Sequence, residues 1–238
     1  MNAALLGRRS SPQLLISVCT LDEAKIALAQ GADIIDLKNP HAGALGALPL
    51  ADIRSIVAHI KQQPMTHKIL TSATLGDLPM QAEQWLPQLD QVIATGVGII
   101  KIGFFATEDY EGCMQALLPY TQAGHQLIAV MFAEITYPDS LLADIKQAGF
   151  LGVMLDTQIK NGLSLFDHFS AKQAREFAKQ VAAQSLLLGL AGSLRDSHLV
   201  AAKNLQPNFI GFRGGVCVAN QRQSTLDADK IKVIRKML

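Results

Sequence analysis

A closed (β/α)8 barrel is the fold class this sequence predicts, and three observations predict it. Short apolar runs alternate with helix-like segments from Leu14 onward, eight such units fill about 225 residues, and no linker or composition shift separates them. Strands alternating with helices imply a parallel sheet. Eight units of roughly 28 residues specify a closed barrel more naturally than an open sheet. A doubly wound sheet is the alternative, but nothing resembles a glycine-rich dinucleotide loop after the first strand.

The elements follow in order. LLISVCT (14–20) is strand-like, and LDEAKIALAQGA (21–32) has helical periodicity ending at a glycine stop. IIDLK (34–38) is the second strand and LADIRSIVAHIKQQ (50–63) its helix. KILTSAT (68–74) leads into QAEQWLPQLDQVIATG (81–96), and GIIKIGF (98–104) into DYEGCMQALLPYTQAG (109–124). QLIAVMFA (126–133) precedes SLLADIKQAGF (140–150); GVMLDT (152–157) precedes a loop and then SAKQAREFAKQVAAQS (170–185). LLLGLAG (186–192) runs into LRDSHLVAAKNLQP (194–207), and FIGFRGG (209–215) into DADKIKVIRKML (227–238). The reading is an N-terminal extension over 1–13 and one barrel domain over 14–238.

Composition narrows the function classes. With 49% hydrophobic and 17% charged residues, the chain buries a large core beneath a modestly charged surface. A net charge of +1 gives no electrostatic case for nucleic acid or an acidic membrane. Cys19, Cys113 and Cys217 are scattered, odd in number and without metal-ligand spacing, so they read as reduced and structural. No apolar run reaches the roughly 18 residues of a membrane span. Residues 1–13 place arginines after their apolar residues, unlike a signal peptide. A cytoplasmic enzyme is expected, and apolar helices such as LLADIKQAGF (141–150) suit a homo-oligomer.

Barrel enzymes build their sites at the C-terminal strand ends. There the second strand offers Asp36 and Lys38, the fourth Lys101 between Ile100 and Ile102, and the sixth Asp156, followed by Lys160 on a polar loop. Asp36 and Lys38 are two apart, so their side chains leave the strand on one face. Alternate strands share interior layers, so these three lysines and two aspartates converge on one mouth. Each Lys–Asp pair could be a structural ion pair. The functional alternative is amine catalysis, since a lysine near other cations in a poorly solvated site becomes a nucleophile toward carbonyl carbon. A neighbouring carboxylate can then shuttle protons.

A phosphate subsite is expected where barrels often place one, after strands 7 and 8. Gly192 and Ser193 follow the seventh strand; Arg213, Gly214 and Gly215 follow the eighth. Glycines admit close backbone approach, Ser193 can donate a hydroxyl, and Arg213 offers a charge-assisted contact. Ordinary tight turns are the competing explanation. Ser72, Thr74, Asp77, His41 and Glu134 are weaker candidates for the mouth, Glu134 serving either chemistry or a loop cap. The six histidines form no ligand pattern, so neither a metal nor another cofactor is expected. The Gly/Pro/Ala-rich loop after Lys38 reads as flexible enough to close over a ligand.

GADIIDLKNPHAGALGA (31–47), SATLGDLP (72–79), IIKIGF (99–104), VMLDTQIKNGLSLFD (153–167), LAGSL (190–194) and GFRGGVC (211–217) together resemble the (5-formylfuran-3-yl)methyl phosphate synthases. The resemblance runs from about Leu14 to the C-terminus. It implies a (β/α)8 lyase that joins two molecules of glyceraldehyde 3-phosphate, with loss of water and one phosphate, into the furan precursor of methanofuran. It also implies that Lys38 is the Schiff-base lysine, accompanied by Asp36, Lys101, Asp156 and Lys160. A Schiff-base aldolase acting on a phosphorylated sugar, or a barrel that only binds a phosphorylated ligand, would use the same residues.

Overall fold

The computed structural model describes residues 11–64 and 68–238. Among them, eight strands pair in chain order, all parallel, and the last closes on the first. They are β1 (Gln13–Val18), β2 (Ile34–Leu37), β3 (Leu70–Thr74), β4 (Ile99–Phe104), β5 (Leu127–Phe132), β6 (Gly152–Asp156), β7 (Leu187–Leu190) and β8 (Phe209–Phe212). The helices are α1 (Leu21–Ala29), α2 (Leu50–Gln62), α3 (Ala82–Ile93), α4 (Tyr110–Gln122), α5 (Leu141–Gln147), α6 (Leu165–His168), α7 (Ala171–Ala183), α8 (Leu199–Lys203) and α9 (Ala228–Met237). This is the predicted (β/α)8 barrel. Residues 1–10 and His67 lie outside the described residues, and Gln13, read as the end of the extension, opens β1.

The period of two along each strand divides the apolar residues into two cores. Leu15, Ile34, Leu70, Ile99, Ile128, Met154 and Phe209 fill the barrel interior. Their neighbours Leu14, Ile16, Ile35, Ile100, Ala129 and Leu155 face outward and pack with helix residues such as Ile53, Trp85, Leu117 and Ile231. Each fully buried aliphatic side chain contributes about 1.5–3 kcal/mol relative to exposure. The polar residues at the site hold inner positions of this same alternation, so the fold aims them into the barrel.

Three local expectations change. The span 194–207 is a 3-10 turn at Asp196–His198 followed by the short α8, because Asn204 caps it and Gln206 turns left-handed (φ 52°) before Pro207. The loop after β6 contains α6, started by a reciprocal Ser164–Asp167 capping box. The apolar residues of 141–150 do not form an outer face: Leu141, Leu142, Ile145 and Phe150 are buried within the chain. No helix among the described residues is long and apolar enough to cross a membrane.

Candidate active site

Strand register decides the lower half of the site. Asp36 on β2 lies level with Ser17 on β1 and Ser72 on β3. Its two carboxylate oxygens accept one hydroxyl from each, both at 2.7 Å. Lys101 on β4 reaches the same carboxylate, Nζ to Oδ1 2.7 Å, and both side chains are buried. Burial alone would push the Asp36 carboxyl up. The Lys101 and Lys38 charges, with hydrogen bonds from Lys101 and Ser72, overcome it and hold Asp36 below its ordinary value.

Lys38 stands just past the end of β2, its backbone N–H still donating to Val18 O at 3.0 Å. Its side chain is 7% exposed and lines a cavity of about 260 Å³ at the barrel mouth. No hydrogen bond or ion pair holds its amine among the described residues. Burial pushes this lysine down from 10.5 to about 8. The carboxylates of Asp156 and Asp36 oppose the shift, while the charges of Lys101 and Lys160 add to it. At neutral pH such an amine is free some two to three orders of magnitude more often than an ordinary lysine.

The upper pair belongs to β6 and its loop. Asp156 Oδ1 accepts Lys160 Nζ at 2.8 Å and the Thr157 amide at 2.7 Å. Lys160 also donates to the carbonyl and hydroxyl of Thr157. Burial raises the Asp156 carboxyl, but Lys160 and Lys38 outweigh it and hold the group at about 2. Glu134 accepts the amides of Gln158 and Ile159, each at 2.9 Å, and so caps the loop that carries Lys160. Of its two readings, the loop cap is the one the geometry matches.

With Lys38, residues of two loops line the cavity: Gly192 and Ser193 after β7, Gly214 and Gly215 after β8. Gly215 is obligatory there, because a Cβ would stand 2.2 Å from Leu194 O. Gly192 turns through a left-handed φ of 93°. Arg213 is in this wall too, yet its guanidinium is fully engaged. It forks onto Glu23 and donates its remaining N–H groups to the carbonyls of Ser17, Arg222 and Ser224. Contact with a phosphate through that side chain would require breaking this set.

The loop after β2 is stapled shut. Asp77 accepts the amides of Ala44 (2.7 Å) and Leu45 (2.6 Å), and both residues are buried at the barrel mouth. Thr74 donates to Gly46 O, while His41 stays exposed. The structure therefore gathers Lys38, Asp156 and Lys160 with the glycine wall around one cavity, and sets Asp36 and Lys101 beneath it. Sequence reasoning missed Ser17, although it shares the inward parity of Leu15. It also missed Arg222, whose segment carries no motif. Among the described residues no group of three His, Cys, Asp or Glu side chains has metal-binding geometry.

Comparison with known proteins identifies the family. The family model described as 4-HFC-P synthase matches residues 14–235. The chain is 30% identical over 237 residues to the (5-formylfuran-3-yl)methyl phosphate synthase of Methanococcus aeolicus, covering 94% of this chain and 98% of that one. It is 29% identical over 236 residues to the synthase of that name from Methanocaldococcus jannaschii, with the same coverage. A Methylorubrum extorquens protein proposed to have the same activity is 37% identical over 220 residues, 92% of this chain and 89% of that one. Phosphoribosyl anthranilate isomerase from Thermus thermophilus shares the fold at a TM-score of 0.65 and 16% identity, over 93% of this chain and 96% of that one. A model match over nearly the whole chain, together with relatives aligned almost end to end, makes this chain a member of the 4-HFC-P synthase family.

Proposed function

We propose that the protein joins two molecules of glyceraldehyde 3-phosphate, through an imine at Lys38, into (5-formylfuran-3-yl)methyl phosphate, a furan precursor of methanofuran. One observation carries this reading: a buried lysine amine, held at about 8 and free of hydrogen bonds among the described residues, lies between two anchored Lys–Asp pairs. Lys38 Nζ attacks the carbonyl carbon of one triose, and the carbinolamine loses water to the iminium. The cation acidifies the neighbouring C–H, and the resulting enamine adds to the carbonyl of the second triose. Cyclisation with loss of one phosphate and two waters balances two trioses against the furan aldehyde phosphate.

The surrounding groups divide the work. A carboxylate held near 2 is a poor base, so Lys160 is the proton-carrying member of its pair. Its ammonium, on giving up its longest bond, the 3.2 Å contact to Thr157 Oγ1, protonates the departing carbinolamine hydroxyl, while Asp156 anchors it and stabilises the iminium. Lys101, fixed by Asp36, contributes a charge that adds to burial in lowering Lys38. The backbone of Gly192, Ser193, Gly214 and Gly215 receives a phosphate.

Mixing the protein with glyceraldehyde 3-phosphate alone tests the reaction. A growing near-ultraviolet furan aldehyde band with about one phosphate per two trioses is expected. Conserved phosphate ester without a chromophore would move the function to an aldolase. Borohydride with substrate should trap an adduct on Lys38, and Lys38→Arg should abolish activity while keeping the charge; an unmodified Lys38 during turnover would sink the imine.

A further inference from the structure

We infer that Arg222 is the cationic ligand for the substrate's phosphate, the role that Arg213's position suggests but its engaged guanidinium does not fill. This rests on the phosphate-ester substrate proposed above. Arg222 lines the same cavity as Lys38, Ser193, Gly214 and Gly215. It sits in an excursion of the β8–α9 connection that closes where Cys217 pairs antiparallel with Leu226 and Val218 N donates to Thr225 O at 3.0 Å. Arg213 braces this excursion from within. Its Nε donates to Arg222 O at 2.7 Å and its Nη2 to Ser224 O at 3.0 Å, while Glu23 holds its other face.

The Arg222 side chain is differently placed. One of its five N–H groups donates to Gly43 O at 3.0 Å, across the mouth on the loop after β2. Among the described residues no carboxylate lies within ion-pair distance of it. Burial pushes this guanidinium down, helped by the Arg213 charge, and the Asp156 and Asp77 carboxylates oppose the shift from beyond ion-pair distance without reversing it. Four unspent donors on a side chain that lines a cavity with Gly192, Gly214 and Gly215 offer the fork that binds phosphate oxygens. The contact to Gly43 also fixes the fork relative to the β2 loop, so a bound phosphate would hold the triose with its carbonyl toward Lys38.

Inorganic phosphate is the probe, titrated by calorimetry into wild type, Arg222→Gln and Arg222→Lys. Loss of one charge-assisted ligand should weaken phosphate binding about tenfold in Arg222→Gln, with Arg222→Lys intermediate. Borohydride trapping at Lys38 is then compared for glyceraldehyde 3-phosphate and for glyceraldehyde. The ratio of the two should fall by a similar factor in Arg222→Gln. Unchanged phosphate affinity overturns the inference, and so does an equal fall with both aldehydes, which would make Arg222 only a latch on Gly43. Should Arg222→Gln fail to fold, modification of wild-type arginines by butanedione gives the answer: phosphate should protect Arg222, and absence of protection overturns the inference. None of these readouts requires furan formation, so a failed synthase reading and a failed Arg222 assignment are distinguishable.

Discussion

Lys38 and Lys101 point into one barrel from strands two places apart, yet one amine is locked against a carboxylate and the other is not. That difference predicts a pH profile. The rate of imine trapping should rise with pH along a limb centred near 8, where Lys38 loses its proton. Lys160→Met should move the limb upward, because it removes a cation that lowers Lys38 and frees Asp156 to pair with Lys38 instead. A limb that stays fixed in this variant would dissociate Lys38 from the profile. Lys101→Met should behave differently, leaving Asp36 buried and uncompensated. A loss of about 3–5 kcal/mol in urea unfolding is expected, recovered in part by adding Asp36→Asn. Strand parity made these residues legible in the sequence. Their partners were not legible, since Asp36 meets Lys101 only through the stagger of β2, β3 and β4, which no local pattern records.

Among the elements, the loop between β2 and α2 departs furthest from its composition. Its Gly, Pro and Ala residues read as mobile, yet Asp77 clamps two of its amides and drives Ala44 and Leu45 into the barrel mouth. A contact between residues more than 30 positions apart is invisible to composition. Asp77→Ala should cost about 1–3 kcal/mol, the penalty for stranding hydrogen-bonded groups. Amide exchange of Ala44 and Leu45 should accelerate well beyond that of the β-strands, whereas equal protection would show that packing alone holds the loop. Strands and long helices were legible because their periodicity is local. The helix at 194–207 fell short because a left-handed residue and a proline stop it, against an otherwise helical pattern.

For the whole molecule, stability and the proposed chemistry make opposite demands at Lys38. The barrel is held by its two apolar cores and by braces such as Asp33, which accepts Leu14 N at 2.8 Å and Arg235 Nη1 at 2.6 Å on the face opposite the cavity. Lys38 works against them. A folded value of about 8 against 10.5 means the folded state resists protonating this amine, while the unfolded chain takes the proton freely. Below about pH 8 the cost is fully present, and it amounts to about 3 kcal/mol. As pH rises from about 8 to 10.5 only the unfolded chain still binds the proton, so stability increases and the cost disappears. Lys38→Met should therefore abolish trapping yet unfold at higher urea than wild type at pH 7, with the gap narrowing toward pH 10. A variant no more stable than wild type at pH 7, or a gap unchanged at pH 10, would mean that burial does not lower Lys38. The proposed nucleophile would then need another source of activation. An enzyme that keeps such a residue tolerates a less stable barrel because the same desolvation that weakens the fold frees the electron pair that attacks the carbonyl.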